Sequence, residues 1–436
     1  MGSGCSPDLL VNKSMEGKNK SNELSNAFIY GNYSEKLNKE LQEIDPRLSK
    51  ILGSPSILSA KKRIEAAQQN VLIINSQTET AVTAISNIGP KLDNDKLELD
   101  ATAGVSLSKL INDGGALSAN VDNAKLNVEI SKLLYIQKVN IDLLEVIKSE
   151  QIILNFKKIE EIYNEQLDVY NKNLPLIKTA EKANIISKTD VLKLEQLKLG
   201  SEEKFLTAKS AADAANLVRK KYQLNETDDF FKLNLNRWRE YEVQSDAFSF
   251  INRDLIQTQI DIMEKEIEMI EATYSANVSL TGTASANVTD MDNSLGFVGL
   301  NITVPIKDGG RKEFQIQEKI NQVEALDQER KDLDLLIETS MQALNNYYTI
   351  HKERSKLLTD QIENSKKIAD DLELKLRAGA ASVIDLATEK MNYYNLRRQN
   401  TEYEYQLLNE ILNFYQLIGR QCDLTDFCGQ INLSLS

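Results

Sequence analysis

Between residues 276 and 288 every even position is small or apolar (Ala276, Val278, Leu280, Gly282, Ala284, Ala286, Val288), and every odd position is polar. A period of two predicts a strand with one apolar and one polar face. Beyond a turn at 290–293, the residues Val298, Leu300, Ile302, Val304 and Ile306 continue the alternation to Asp308-Gly309-Gly310. An earlier set, Leu97, Leu99, Ala101, Ala103, Val105 and Leu107 against Glu98, Asp100, Thr102, Ser106 and Ser108, leads to Asp113-Gly114-Gly115. After each triplet the spacing changes to three or four. Val121, Ala124, Val128 and Ser131 begin one helical stripe, and Ile362, Ile368, Leu372 and Leu376 form another. Residues 116–182 contain no Gly and only Pro175, while 311–378 contain neither Gly nor Pro. An unbroken helix of that length extends roughly 100 Å, too far for an ordinary globular core.

The two triplets lie 195 residues apart, and the offset holds on both sides of them. Residues 56–80 correspond to 251–275, and Asp190 corresponds to Asp385. An offset this long marks an internal duplication rather than a solenoid of small units. The chain therefore divides into an N-terminal segment 1–53, a first repeat 54–222, a linker 223–248, a second repeat 249–420 and a tail 421–436. The first repeat has strands over 81–111 and a long helix over 116–182; the second has strands over 276–306 and a long helix over 311–378. Polar stretches at 6–50 and 223–245 are expected outside the helices, with Trp238 and Phe230-Phe231 as local core.

No run of 18 or more apolar residues occurs, so no transmembrane helix is expected. Two strands per repeat give four per chain, and an open sheet edge is not tolerated in a bilayer, where closed barrels begin at about eight strands. If the strands enter a membrane the chain must oligomerise, and three copies supply twelve strands. The alternative is a soluble sheet packed on a coiled-coil scaffold without channel activity.

The run Val304-Pro305-Ile306-Lys307-Asp308-Gly309-Gly310-Arg311-Lys312 resembles the Pro-Leu-Phe-Asp-Gly-Gly-Arg signature of the TolC family of outer-membrane efflux proteins. Gly379, Ser382, Asp385, Leu386 and Glu389 are similar to that family's hairpin-tip segment, and Ser54-Pro55-Ser56-Ile57-Leu58 to the start of its first repeat. The resemblance spans residues 54–420. It implies a mainly α fold with a β-barrel part, in which a homotrimer builds a twelve-stranded barrel in the outer membrane and a tunnel of long antiparallel helices across the periplasm. It further implies an export duct, for small-molecule efflux or type I protein secretion, working with an inner-membrane transporter and a periplasmic adaptor protein.

Asp113 and Asp308 suit helix N-caps, with Gly114, Gly115, Gly309 and Gly310 allowing a tight strand-to-helix turn. Asn184 and Gly379 tolerate the left-handed backbone that a helix-helix turn requires. With Ser382 they mark the tips, where the adaptor is expected to dock over 183–189 and 378–382. By resemblance, Asp385 falls where acidic residues ring a closed periplasmic entrance. A ring of three carboxylates would repel itself and attract cations; the plain alternative is an Asp favoured by the helix dipole. The same choice applies to Asp190. Some members of the family carry a second acid where this chain has Thr388 and a basic latch where it has Ala381. Lys375, Arg377 and Lys188 lie nearby as ion-pair donors.

Ser3-Gly4-Cys5 resembles the end of a bacterial lipobox, implying a lipid anchor on Cys5; the alternative is that Met1-Gly2-Ser3 is an added start and Cys5 incidental. Cys422 and Cys428 are placed to form a disulfide in an oxidising periplasm. No Cys/His cluster suggests a metal, no GxxxxGK loop a nucleotide, and no cofactor is expected. The single histidine, His351, lies within a long helical pattern, and no catalytic constellation stands out, so an enzyme is not expected. A net charge of −13 argues against nucleic acid as a partner and suits either a cation-favouring duct or a diffuse solvated surface.

Overall fold

The alternating segments pair into one antiparallel sheet of β1 (Ala81–Asp93), β2 (Lys96–Asn112), β3 (Asn277–Asn287) and β4 (Ser294–Thr303), in the order β1-β2-β3-β4. The computed structural model describes residues 44–93, 96–225, 228–243, 250–287 and 294–435, and Cys5 lies outside them. The chain forms two units: residues 58–135 with 253–334, which hold the sheet, and residues up to 57 with 136–252 and 335 onward.

Directly opposed residues share a face. One row runs Val82, Leu107, Gly282, Val298, and the next Ala84, Val105, Ala284, Gly296. This face is apolar yet exposed: Val82 at 65%, Val298 at 75% and Ile302 at 62%. Rows on the other face run Thr83, Ser106, Thr283, Phe297 and Ile85, Gly104, Ser285, Leu295, polar except at the two edge strands. The expected alternation through Val304 and Ile306 does not continue as strand, because β4 stops at Thr303. Pro305 has no N–H to give a ladder and ends the pairing.

Helix α2 (Pro55–Asn75) precedes β1 and α6 (Ile251–Thr273) precedes β3, while α3 (Ala116–Lys182) and α7 (Arg311–Arg377) follow the two strand pairs. The second unit adds α1 (Pro46–Leu52), α4 (Lys188–Lys221), α5 (Trp238–Val243), α8 (Val383–Ile418) and α9 (Cys428–Leu433). Helix α5 lies in the linker expected to be free of helix. Its Trp238 and Tyr241 are fully buried, Trp238 with its ring 5.9 Å from Tyr348 and Tyr241 with its ring 6.0 Å from Phe250. Tyr241 meets Tyr415 edge to face at 6.0 Å.

The expected helical stripes fare differently. Ala124 and Val128 are buried, but Ile368 is 50% exposed and the buried positions of α7 nearby are Leu358, Ser365 and Ala369. Ser365 donates to Glu389 of α8. His351 is buried too, stacked on Tyr403 at 4.5 Å with its Nε2 3.1 Å from the Tyr403 carbonyl.

Two buried polar clusters tie distant segments together. Glu150, 1% exposed, accepts from the Phe231 amide at 2.9 Å. Arg219 Nε stands 3.9 Å from Glu150 Oε1, and neither atom has a hydrogen bond among the described residues. Burial pushes the Glu150 carboxyl up to about 7, against the pull of the Phe231 amide and of the Arg219 and Arg47 cations. Arg219 also donates to the carbonyls of Asn225 and Asp228, at 2.9 and 3.0 Å, and Arg47 to that of Asp229 at 3.0 Å. In the second cluster Asp423 accepts from Tyr241 and Arg420, inside the loop closed by a Cys422–Cys428 disulfide. Asn140 fastens that loop to α3, donating to the Gly419 carbonyl at 3.1 Å and accepting from the Cys422 amide at 2.8 Å.

Candidate functional site

The aspartate caps of the two strand-to-helix turns match. Asp113 Oδ1 accepts from the Gly115 amide at 3.0 Å and Oδ2 from the Leu117 amide at 2.6 Å. Asp308 Oδ1 accepts from Gly310 at 3.0 Å and Oδ2 from Lys312 at 2.8 Å. The backbone amides of Lys312 and Gly310 hold the Asp308 carboxyl below the usual carboxylate range. Gly114 and Gly309 take φ of 71° and 74°, and a side chain at Gly114 would also overlap Ser275. Asp113→Ala is expected to lose about 1 kcal/mol of cap stabilisation, visible as a lower melting midpoint by circular dichroism, with Asp113→Asn retaining most of it.

The hairpin tips repeat in the same way. Asn184 and Gly379 adopt φ of 56° and 72°. The Ile185 amide donates to the Ala180 carbonyl at 2.9 Å and the Ala380 amide to that of Lys375 at 2.8 Å, the six-to-one bond that closes a helix with a left-handed residue. Each following helix then starts on a serine: Ser187 Oγ accepts from the Asp190 amide and Ser382 Oγ from the Ile384 amide. Ser187 is absent from the residues the sequence singled out, although counting the repeat offset back from Ser382 finds it. Under the tips Tyr170, Ile177, Ile186, Val191, Leu194, Val383, Ala387 and Met391 bury one another.

The acidic residues of the two repeats part company. Asp190 accepts a hydrogen bond from Ser187 Oγ at 2.7 Å and stands 3.8 Å from Lys193 Nζ. It lines a groove of about 310 Å³ between α4 and α8, with Lys193, Gln196, Leu197, Ile384 and Thr388. Thr388 thus shares a groove with Asp190. Asp385 does not line this groove. It is exposed and has no ion pair among the described residues. The nearby cations are engaged elsewhere: Lys375 with Asp371 at 2.7 Å, Arg377 with Glu373 at 2.8 Å, Lys390 with Glu373 at 2.9 Å. Gln196 and Leu197 escaped the sequence reading, although Lys193 and Leu197 follow Asp190 at three and seven residues, the spacing of one helix face.

Neither the models of known protein families nor the sequences of characterised proteins match the chain. Solved structures do. VceC, an outer membrane protein of Vibrio cholerae, superposes with a TM-score of 0.71 over 86% of this chain and 95% of its own, at 12% identity. The CmeC outer membrane channel of Campylobacter jejuni gives 0.70 over 90% of each chain, also at 12% identity. The MtrE outer membrane channel of Neisseria gonorrhoeae, in its open state, gives 0.68 at 13% identity over 86% and 88%. The chain has the outer-membrane-channel fold. In that fold the Asp-Gly-Gly turns join sheet to long helix, and the tips carrying Asn184 and Gly379 close the two helical hairpins. Among the described residues no helix is long and apolar enough to cross a membrane.

Proposed function

We propose that the chain is an outer-membrane export duct, assembled as a homotrimer and reaching into the periplasm. The observation that carries this reading is the sheet, whose four strands present one apolar, exposed face and leave β1 and β4 as open edges. The strands alternate in direction along the order β1-β2-β3-β4, so β4 of one copy runs antiparallel to β1 of the next. Three copies close a twelve-stranded barrel with the apolar face toward lipid, and closure removes the edges that hydrocarbon does not tolerate. The likeness to outer membrane channels supports the same assembly. The Cys422–Cys428 disulfide suits an oxidising periplasm, and a lipid on Cys5 would add a second hold on the membrane.

The helical hairpins form the periplasmic tunnel. At their ends, the groove holding Asp190 and Thr388 and the turns at 183–189 and 378–382 receive a helical hairpin of a periplasmic adaptor, which couples the duct to an inner-membrane transporter. The cargo is small molecules or a secreted protein. Asp385, exposed at the tip, contributes one carboxylate per copy to the entrance and makes it prefer cations.

Single-channel recording of detergent-purified protein in a planar bilayer tests both parts. Wild type is expected to give stable cation-preferring pores, and Asp385→Ala pores of higher conductance or weaker cation preference. Pores unchanged by the substitution would keep the duct and remove Asp385 from its entrance. A protein that stays soluble without detergent and forms no pores would end the duct reading.

A further inference from the structure

Phe297 interrupts the polar face of the sheet. Its row is otherwise Thr83, Ser106 and Thr283, and its ring is 57% exposed. The ring does not stand away from the sheet. It lies along β4 over Gly299, where a β-carbon would overlap Phe297 Cζ and come within 3.1 and 3.2 Å of Cε1 and Cε2. Positions 297 and 299 share a face, so the absence of a side chain at 299 is what lets the ring lie flat, an aromatic packed on a strand glycine. Phe297 is the fourth residue of β4, near the hairpin and away from the end that leads into α7.

We infer that the Phe297–Gly299 pair sets the bore of the duct near its outer mouth, an inference that rests on the trimeric barrel proposed above. An eight-stranded barrel is filled by its inward side chains, whereas barrels of 16 to 18 strands leave an aqueous channel. At twelve strands the inward side chains decide how much opening remains. Three Phe297 rings pressed on the wall keep that opening wide, and the same rings turned inward narrow it. The atoms a side chain at 299 would displace are the far end of a single ring, and Thr283 opposite is small, so rotation about the Phe297 side-chain bonds relieves the overlap without moving the backbone.

The test uses the full chain reconstituted in planar bilayers, with polyethylene glycols of graded size added on the side facing the strand hairpins. The largest polymer that enters and lowers the conductance reads the outer bore even where the tips limit the current. Gly299→Val is expected to exclude polymers that wild type admits, Phe297→Ala to admit at least the wild-type sizes, and Phe297→Ala/Gly299→Val to recover the wild-type limit. A wild-type size limit in Gly299→Val overturns the inference. So does a narrowed limit that persists in the double variant, which places the obstruction on the valine. Pores with unaltered limits remove this pair and leave the duct standing, whereas a wild type without pores removes the duct and the inference together.

Discussion

Replacing Arg219 by Met should cost about 3–5 kcal/mol and release Asn225 and Asp228 from α4. Arg219 faces Glu150 in a pocket where both side chains are nearly fully buried, and removal of one member of such a pair strands the other charge without a partner. The cost is compounded because Arg219 also holds the carbonyls of Asn225 and Asp228. The single tryptophan, Trp238, is buried in the same unit and gives the readout: urea unfolding followed by its emission should shift to a clearly lower midpoint in Arg219→Met. A midpoint within error of wild type would mean that the pair contributes nothing net. The same site sets a pH dependence. Glu150 titrates near 7 in the folded chain, above the ordinary 4.5, because burial disfavours its charge. The folded state therefore binds a proton that the unfolded chain has released. Its stabilising effect is full below pH 4.5 and is lost as pH rises through 7, by about 3 kcal/mol in all. Glu150→Gln should flatten that slope; equal slopes in the two proteins would contradict the assignment.

Removing the Cys422–Cys428 disulfide is expected to be the second large effect. A loop this short gives about 2 kcal/mol through the restricted unfolded chain. Here the loop also presents Asp423 to Tyr241 and Arg420, and Leu424 accepts the Asn234 amide at 2.8 Å. Cys422→Ser/Cys428→Ser should therefore lower the unfolding midpoint and open the linker around 230–243 to limited proteolysis, and reductant should do the same to wild type. If neither treatment exposes the linker, the loop is held by Asn140 and Asp423 alone.

Much of the architecture was legible because it is written twice. The offset of 195 carried the Asp-Gly-Gly turns, the left-handed positions Asn184 and Gly379 and the helix starts, all set by local backbone chemistry that a sequence displays directly. Strand alternation revealed the apolar face of the sheet, and Pro305, read with more care, marks where β4 must stop. What stayed hidden depends on residues distant in the chain. Nothing near Glu150 in sequence announces Arg219 or the Phe231 amide, and both meet it only through packing. On α7 hydrophobicity pointed to Ile368, which is half exposed, whereas Ser365 and Ala369 are the buried positions beside it. Phe297 escaped because alternation drew attention to the opposite face of the same strand.

The doubled turn at the tips has a consequence for stoichiometry. In the trimer proposed above, three copies of a twice-repeated chain would present six hairpin ends that share one backbone geometry but fall into two chemical kinds, one turning on Asn184 with Asp190 tied into a groove, the other on Gly379 with Asp385 outside that groove. A binding partner sees sixfold geometry and threefold chemistry. A partner that reads backbone shape alone would saturate at six per assembly with a single affinity. One that reads side chains would fill three places first, and a titration would show two steps.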